Sequence, residues 1–475
     1  MNPLSVSGAA ADAPDRPFVV RDGQTWSFAD VAQRVNALLS QVASSGEPTA
    51  DLARPVVLVA TNELRTLIRC LAAFELGRPV LLLHPRWSDA ERRAVLQRAG
   101  VSDKELQLEV DRLTLGERLG PDFAAADPLA VVFTSGSSAG PKGVVLSRRA
   151  FTAAAHASAE NLGWRPNDRW LLSLPLAHIG GLSVFTRCLA ARTAVVLPTR
   201  AGTSFDPNRF VEEVERTATT LLSLVPTQLK RVVERRLRCP RSVRAVLIGG
   251  ASLTEALREK GRALGWPLLT TYGMTETCSQ VATERYARTC AANTAFPSAN
   301  SEEMGRPNGI CGPPLDGVEV RVTPQGLIEV RSPTLLSGYF PSEPAPLDDA
   351  GWFRTNDLGE LLSNGELRVL GRADDLIISG GENIHPQQVE QGLLSLPGVS
   401  GACVFGLPSE DWGQVVAAAV VGEQLDLTRL RAQARALLGP IQCPKRWLLV
   451  AVLPLNPNGK LDRRRAQKEL GPLCR

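Results

Sequence analysis

Short apolar runs alternate with amphipathic stretches from about residue 54 to residue 271. Such runs, bounded by polar and turn residues, are typical of buried strands. The predicted strands are Arg54–Ala60, Val80–Leu83, Leu129–Phe133, Trp170–Leu174, Ala194–Leu197, Leu221–Val225 and Ala245–Ile248. Between them, Ser88–Ala99 and Leu253–Leu264 predict helices with Ser88 and Ser252 at the N-cap positions. The alternation of strand and helix predicts α/β layers with mostly parallel sheets.

The pattern changes twice after residue 305. From there to about residue 370, Gly, Pro and Asp become frequent and the apolar runs shorten, as in Gly317–Val322 and Gly326–Val330. Beyond Gly371 follows a pattern of strand, helix, strand, strand and helix. We therefore predict an α/β fold with a large N-terminal domain (1–371) of layered α/β sheets plus a β-rich subdomain. A small α+β C-terminal domain (372–475) would follow.

Composition excludes several classes of protein. The 53 basic and 49 acidic residues give a net charge of +4 and are scattered, which does not favour a nucleic-acid partner. No apolar run approaches the roughly 20 residues of a membrane-spanning helix, and we expect neither a transmembrane segment nor an export signal. The nine cysteines are odd in number and form no CxxC pair, which favours a reduced, cytoplasmic protein.

The most informative segment is the glycine-rich stretch Val131–Val144, where a predicted strand runs into a loop. A loop of this kind offers backbone N–H groups, hydroxyls and a cation to a polyphosphate. Its candidate phosphate ligands are Thr134, Ser135, Gly136, Ser137, Ser138 and Lys142. It is not a P-loop of the GxxxxGK[ST] type, because Pro141 separates Gly140 from Lys142.

Two other interpretations of this loop stay open. Gly136–Gly140 also satisfies G-x-S-x-G, which would make Ser138 the nucleophile of an α/β-hydrolase. Among the four histidines, His178 or His385 would then have to complete the triad. That pattern leaves the following Pro-Lys-Gly unexplained. The loop could also be a plain turn, although clustered hydroxyls and a lysine exceed what a turn needs.

The loop resembles the phosphate-binding signature of the acyl-adenylate-forming superfamily, which includes acyl-CoA ligases, carrier-protein adenylation domains and firefly luciferase. Further stretches match the superfamily in the expected order along nearly the whole chain. They are Gly249–Ala251, Thr271–Thr277, Ser332–Tyr339, Trp352–Asp357, Gly371–Asp375, Ser379–Ile384 and Pro457–Lys460. The ordered series is far more specific than any one of its motifs.

The resemblance implies a site for Mg·ATP. It assigns adenine binding to Gly249, Gly250, Ala251, Thr271, Tyr272, Gly273 and Thr275. It further implies that Asp357 and Arg372 hold the ribose, and that Glu276 and Thr134 bind Mg²⁺. A glutamate suits this hard cation beside phosphates. The implied catalytic residues are Lys460, which reaches the ATP α-phosphate, Glu276 and Thr134.

The resemblance also implies two half-reactions and coenzyme A as co-substrate. A carboxylate first attacks the α-phosphate of ATP and forms an acyl-adenylate, which the CoA thiol then converts to a thioester. The small C-terminal domain would be mobile, turning about the hinge residue Asp374 and carrying Gly380 and Gly381 to the adenylate. Two departures affect this expectation, since the family usually has glycine at the positions of Ala139 and Asn356.

The length of the chain and the stretch Leu174–Ser183, followed by Arg187, resemble the o-succinylbenzoate–CoA ligases of menaquinone biosynthesis. That acid keeps a second, ionised carboxylate, which calls for a cation in the pocket, and Arg187 is the candidate. The other predicted substrate residues are His178, Gly250, Thr275 and Ser279. Arg187 could instead be a surface residue of its helix.

Alternatives to this assignment remain. The acid could be another aryl or medium-chain acid, and the acceptor could be a separate carrier protein. The chain could also be a nucleotide- or acyl-CoA-binding protein without turnover. The expected partners are a small carboxylic acid, ATP and CoA. The sequence does not indicate how many copies of the chain associate.

Overall fold

The structure is a computed structural model that describes residues 2–44, 55–101, 127–134, 141–199, 205–286, 308–455 and 461–474. Its strands, in chain order, are β1 Pro17–Arg21, β2 Gln24–Ser27, β3 Val56–Val59, β4 Val80–Leu83, β5 Pro128–Thr134, β6 Lys142–Ser147, β7 Arg169–Leu171, β8 Ala194–Val196, β9 Leu221–Leu224, β10 Ala245–Ile248, β11 Leu268–Met274, β12 Ser279–Thr283, β13 Glu319–Val322, β14 Leu327–Arg331, β15 Gly338–Phe340, β16 Glu343–Pro344, β17 Phe353–Leu361, β18 Leu367–Arg372, β19 Ile377–Ser379, β20 Glu382–Ile384, β21 Val399–Ser409, β22 Gly413–Gly422 and β23 Arg446–Leu449. Its helices are α1 Val6–Asp12, α2 Phe28–Ser44, α3 Leu64–Glu75, α4 Asp89–Arg98, α5 Arg148–Leu162, α6 Ile179–Ala191, α7 Pro207–Arg216, α8 Pro226–Glu234, α9 Glu255–Ala263, α10 Pro386–Leu394, α11 Leu427–Gln442 and α12 Arg463–Leu470. The alternation of these elements confirms the α/β class.

The first sheet has eight strands in the order β12-β11-β10-β9-β7-β8-β1-β2. Adjacent strands are parallel from β11 to β1, whereas the two outer pairs, β12–β11 and β1–β2, are antiparallel. The central strands β9 and β10 are buried along their whole length. Burial on both faces explains why they appear in the sequence as continuous apolar runs.

The second sheet has six strands in the order β16-β15-β6-β5-β4-β3. Here β3, β4 and β5 are parallel, but β5–β6, β6–β15 and β15–β16 are antiparallel. The expectation of mostly parallel sheets is therefore wrong for this sheet. The connection between β5 and β6 is too short for the crossover that a parallel pair requires, so β6 returns beside β5.

Helix caps give one confirmed prediction and one error. Ser88 caps α4, because its hydroxyl accepts from the N–H of Glu91 and the Glu91 carboxylate accepts from Ser88 in a capping box. Ser252 does not cap α9, which begins instead after Thr254, whose side chain accepts from the N–H of Leu257. Leu253 in between is buried, and the Ser252 hydroxyl accepts from Gln391 Nε2 at 2.8 Å.

The predicted β-rich region contains a sheet, which is antiparallel and has the order β13-β14-β17-β18. Its apolar face packs around Val281, Ile328, Val330 and Leu367. One part of the region behaves differently, since β15 pairs with β6 and extends the second sheet.

The residues after Asp375 build a further sheet, in which β20, β19, β22 and β21 are neighbours and β23 pairs with β22. They enclose their own apolar cluster, which includes Val404, Val416, Leu430 and Trp447. The segment holds more strands than the sequence pattern predicted, because β19 and β20 form a tight pair before α10 and β23 follows α11. None of the helices that the structure describes is long and apolar enough to cross a membrane.

Candidate active site

A long cleft follows the carboxyl edge of the first sheet and extends to the β-rich sheet and to residues beyond 371. Parallel strands bring their carboxyl ends to one edge, which gathers the segments after β9, β10 and β11. The cleft is lined by the described residues Thr134, Lys142, His178, Arg187, Gly249, Gly250, Ala251, Thr271, Tyr272, Gly273, Thr275, Glu276, Ser279, Asp357, Arg372 and Asp374. The structure therefore brings together predicted site residues from positions 134 to 374.

Some predicted residues are not in this cleft or lie outside the described residues. Gly380 and Gly381 form the turn between β19 and β20, are exposed and do not line the cleft. A Cβ on Gly380, whose φ is +61°, would lie 2.6 Å from the ring of Trp412, so this position requires glycine. The segments outside the described residues contain Ser135, Gly136, Ser137, Ser138, Ala139 and Lys460.

Asp357 is the centre of the part of the cleft that is predicted to bind the nucleotide. The Tyr272 hydroxyl, from β11, donates to Asp357 Oδ2 at 2.8 Å. Burial, together with the charge of Asp357, raises the pKa of Tyr272 and keeps the proton on its hydroxyl. Asp357 faces Arg372 in the register of β17 and β18. A carboxylate oriented in this way can accept two neighbouring hydroxyl groups, such as those of a ribose.

Close backbone approach shapes the segment that follows β11. Gly273 lies opposite Gln280 in a β11–β12 pairing whose register shifts between Tyr272 and Gly273. A Cβ on Gly273 would lie 1.6 Å from the Ser279 carbonyl oxygen, which excludes every other residue there. This tight pairing fixes the position of the short 3₁₀ turn Thr275–Thr277, which carries Glu276.

Lys142 and Thr134 occupy the ends of β6 and β5, on either side of the glycine-rich loop. The Thr134 hydroxyl donates to the Lys142 carbonyl at 3.3 Å. The Lys142 ammonium lies 3.5 Å from the centroid of the Tyr339 ring and 3.4 Å from Glu343 Oε2. Lys142 remains half exposed despite both contacts. Its ammonium group is therefore accessible to an anionic ligand.

The carboxylate of Glu276 is half-buried beside these residues. Burial raises its pKa, while the positive charges of Arg372 and Lys142 oppose that rise. Among the described residues no three His, Cys, Asp or Glu side chains converge on a metal position. Magnesium is commonly held by one or two carboxylates together with substrate phosphates. The Glu276 carboxylate therefore fits Mg²⁺ that is bound together with a polyphosphate.

Arg187, on α6, also lines the cleft and is 3% exposed. Its Nη2 donates to the Ser279 hydroxyl at 3.3 Å, and its guanidinium lies 5.6 Å from the ring of Trp170. No carboxylate of the described chain forms an ion pair with it. Burial lowers the pKa of Arg187 to about 10. The alternative of a surface arginine is wrong, since this guanidinium is in the interior and faces the cleft.

His178 is the N-cap residue of α6, and its ring lies 4.8 Å from the ring of His84. The chain is very compact here, because a Cβ on Gly181 would lie 2.2 Å from the Pro175 carbonyl oxygen. His84 was missed as a cleft residue by the sequence analysis. The available signal was its position directly after the predicted strand Val80–Leu83, at the strand end where ligands collect.

Asp374, the predicted hinge residue, binds two arginines. Arg372 Nε donates to Asp374 Oδ1 at 2.8 Å, and Arg464 Nη2 donates to Asp374 Oδ2 at 3.3 Å. Its neighbour Asp375 pairs with Arg463. Arg463 and Arg464 open α12, shortly after Lys460 in the chain. The predicted hinge is therefore bound to the helix that follows the predicted catalytic lysine.

Family models match two parts of the chain. Residues 102–340 match the AMP-binding enzyme family, and residues 388–460 match the C-terminal domain of AMP-binding enzymes. Among curated relatives, the 2-succinylbenzoate–CoA ligase of Bacillus pumilus is 32% identical, covering 96% of both chains. The 2-succinylbenzoate–CoA ligase of Geobacillus kaustophilus is 34% identical over 96% of this chain and 95% of its own length.

Solved structures give the same result. The o-succinylbenzoate CoA synthetase of Bacillus subtilis, in complex with its acyl-adenylate intermediate, superposes with a TM-score of 0.81 at 30% identity and 98% coverage of each chain. The same enzyme with ATP and magnesium ion gives a TM-score of 0.83. The ordered motifs, the cleft that unites them and these full-length matches lead to one conclusion: the chain belongs to the AMP-binding enzyme family.

Proposed function

We propose that this chain is an ATP-dependent, AMP-forming acid–CoA ligase whose acid is 2-succinylbenzoate, as in menaquinone biosynthesis. The relatives named above carry that activity in their names and match over nearly their full length. The acid would react with ATP to an acyl-adenylate and pyrophosphate. The thiol of CoA would then attack the acyl carbon, giving the CoA thioester and releasing AMP.

The observation that carries the choice of acid is the buried guanidinium of Arg187. A buried charge without a partner is unfavourable, and an oppositely charged ligand group removes that penalty. 2-Succinylbenzoate has two carboxylates, of which one is activated and the other stays anionic. Arg187 and the Ser279 hydroxyl, 3.3 Å apart, would hold the retained carboxylate. A fatty acid would leave Arg187 without a counter-charge, which disfavours a medium-chain substrate.

Other cleft residues would form the walls around the acid. Gly250, Thr275 and His178 line the same cleft as Arg187. A carboxylate is already ionised at neutral pH and needs no general base. His178 would therefore act as a wall or gate of the acid pocket.

The nucleotide would be held by residues from both sides of the cleft. Asp357, oriented by Tyr272, would accept the ribose hydroxyls, and Lys142 would leave Glu343 to bind the β- and γ-phosphates. Glu276 and Thr134 would hold Mg²⁺, which supplies charge neutralisation at the phosphates when it is bound. Lys460 would stabilise the negative charge that develops at the α-phosphate.

The second half-reaction would require the C-terminal domain, 372–475, to rotate about Asp374 against residues 1–371. Two observations support this. The segment after Asp375 has its own apolar cluster, and the exposed turn Gly380–Gly381 lies outside the cleft that it would have to enter. Rotation would withdraw Lys460 and deliver that turn to the adenylate.

Acid-dependent exchange between ATP and pyrophosphate tests the function directly. The panel contains 2-succinylbenzoate, benzoate, a medium-chain fatty acid and several amino acids, and each active acid is then assayed for CoA thioester formation. We expect exchange and thioester with 2-succinylbenzoate. Turnover of a different acid would refute the substrate and retain the reaction. ATP binding without any exchange would favour a non-catalytic binding protein.

Lys460→Ala tests the proposed alternation of the two domains. We expect adenylation to lose about 3 kcal/mol of transition-state stabilisation or more, whereas thioester formation from a supplied acyl-adenylate should continue. Equal losses in both steps would contradict a rotating domain.

We also propose a cytoplasmic location. The described cysteines are all free, and reduced thiols are the rule in that compartment. Thiol titration of protein purified without reductant should find them unpaired.

A further inference from the structure

Two histidine rings face each other in the cleft wall. His84 follows β4 and His178 precedes α6, and their ring planes are inclined by 36°. His84 is 4% exposed, and the mechanism proposed above gives it no role. His84 is therefore a buried imidazole that lines the cleft and has no assigned role.

The hydrogen bonds of His84 define its tautomer. The backbone N–H of Arg86 donates to His84 Nδ1 at 3.0 Å. A ring nitrogen that accepts a hydrogen bond carries no proton, so the proton of the neutral ring is on Nε2. Burial, with a contribution from the charge of Arg86, lowers the pKa of His84 and keeps the ring neutral. His84 therefore offers one N–H donor, at Nε2.

That donor has no acceptor among the described residues, although its nitrogen is fully buried. Buried polar groups in folded proteins are almost always satisfied, because an unmade hydrogen bond is unfavourable. A donor in a cleft wall can obtain its acceptor from the ligand. The ring of His178 packs against that of His84, with ring centroids 4.8 Å apart.

The position of His84 indicates which part of a ligand it would meet. In the parallel pair β4–β5, Val80 faces Ala130 and Leu82 faces Val132, and continuing this register puts His84 beside Thr134. Arg187 is nine residues beyond His178 on α6, which corresponds to about 13 Å along the helix axis. His84 is thus near Thr134 at the end of β5, whereas Arg187 is about two and a half helical turns beyond His178 along α6.

We propose that His84 is an acid-positioning residue whose neutral Nε2–H donates to an oxygen of the acid between the carboxylate held by Arg187 and the nucleotide. The inference rests on the proposed function, since it assumes an acid lying between Arg187 and ATP. 2-Succinylbenzoate offers two acceptors there, the keto oxygen and the reacting carboxylate. A neutral donor suits both, because it orients the acid without adding a second cation.

The test compares His84→Phe, which keeps a flat ring against His178 but has no N–H, with His84→Gln, which keeps an N–H donor of similar reach. The matched control is His156→Phe, since His156 is exposed and outside the cleft. We expect His84→Phe to raise the KM of the acid about tenfold, the effect of losing one hydrogen bond, with the KM of ATP unchanged. His84→Gln should recover most of the loss, and the control should match the wild type.

An analogue with a methylene in place of the keto group separates the two acceptors. If the keto oxygen is the acceptor, wild type and His84→Phe will have equal KM values for the analogue. If the reacting carboxylate is the acceptor, the tenfold difference will persist. An unchanged acid KM in His84→Phe, equal rises for acid and ATP, or no recovery in His84→Gln would overturn the inference.

A spectroscopic measurement on the wild-type protein covers the case in which His84→Phe does not fold. The chain has four histidines, so ¹⁵N-labelled imidazoles can be followed individually. We expect the His84 Nε2–H proton to shift downfield when acid and a non-hydrolysable ATP analogue bind, and an unchanged shift would overturn the inference. Failure of the wild type to use 2-succinylbenzoate would refute the proposed function alone, and the KM comparison would then be made with the acid that it does use.

Discussion

Two arginines of this chain, the buried Arg187 and the largely buried Arg463, differ in how their charge is compensated. Arg463, at the start of α12, donates to both carboxylate oxygens of Glu390 at 2.8 and 2.9 Å and also pairs with Asp375. Arg187, in the cleft, contacts a serine hydroxyl and an indole ring. Burial alone would lower both pKa values, but the two carboxylates raise that of Arg463, whereas Arg187 falls to about 10.

The difference separates structural charge from functional charge. The charge of Arg463 is balanced by Glu390 and by Asp375, the neighbour of the predicted hinge residue Asp374. Arg463 therefore has a structural role that needs no ligand. Arg187 has no carboxylate among the described residues, so its charge is available to a ligand. Substitutions at the two positions should therefore damage different properties.

The largest effect on folding is expected for Arg463→Leu. The substitution leaves the buried Glu390 carboxylate without its partner, and breaking a buried ion pair in this way typically costs about 3–5 kcal/mol. Hydrogen exchange of the β21 and β22 amides, which measures local stability, should increase accordingly. Arg465→Leu is the control, since Arg465 lies on the same helix in an exposed pair with Glu469. Similar exchange in both variants would mean that the Arg463 cluster is not structural.

Arg187→Met, in contrast to Arg463→Leu, should weaken binding of the acid without lowering the stability of the protein. Removal of a buried, uncompensated charge should leave the melting temperature unchanged or higher. Binding of the acid should weaken by about 2–3 kcal/mol, or roughly 30- to 150-fold, because its retained carboxylate loses a charged partner. The measurements are the KM values of acid and ATP together with a thermal melt. An acid KM close to that of the wild type would remove Arg187 from the substrate site.

Arg187→Lys sharpens the comparison with a smaller change. Lysine keeps the positive charge but lacks the planar fork that grips a carboxylate with two N–H groups. We expect a loss of about 1 kcal/mol in acid affinity, roughly fivefold, again with ATP unaffected. If lysine were as damaging as methionine, geometry and not charge would control recognition.

The smallest expected effect comes from Glu343→Gln. This exposed carboxylate lies 3.4 Å from the Lys142 ammonium, which is proposed to bind phosphates. Removing a competing partner should lower the KM of ATP slightly, by less than a factor of about five, since exposed pairs are weak. A rise in the KM of ATP would indicate that Glu343 positions Lys142 for the nucleotide.

Sequence patterns predicted the fold well where local rules decide it. Val80–Leu83 and Ala245–Ile248 were predicted as strands with the bounds that the structure gives, because continuous apolar runs are typical of fully buried strands. The N-cap at Ser88 was likewise predicted from the residues around it, and the structure confirms it. The predicted cap at Ser252 was wrong, since Thr254 caps the helix and the Ser252 hydroxyl instead accepts from Gln391, which is distant in sequence.

The sequence motifs predicted which residues form the candidate site. They did not predict how buried each side chain is or which groups it contacts. The resemblance named Arg187, but the local sequence gave no sign that its guanidinium would be buried without a carboxylate partner among the described residues. His84 had no motif, and its role depends on a backbone N–H two residues later and on a ring from another element. Such pairings arise from tertiary packing, which a local pattern does not encode.

The uncompensated charge of Arg187 has a consequence for the lifetime of the protein. A ligand that binds only the folded state stabilises it, by about 2.7 kcal/mol at a concentration of one hundred times Kd. If the acid supplies the missing counter-charge, the loaded protein will open less often than the empty one and will resist proteases longer. The abundance of the enzyme would then follow the supply of its own substrate, without any dedicated regulatory element.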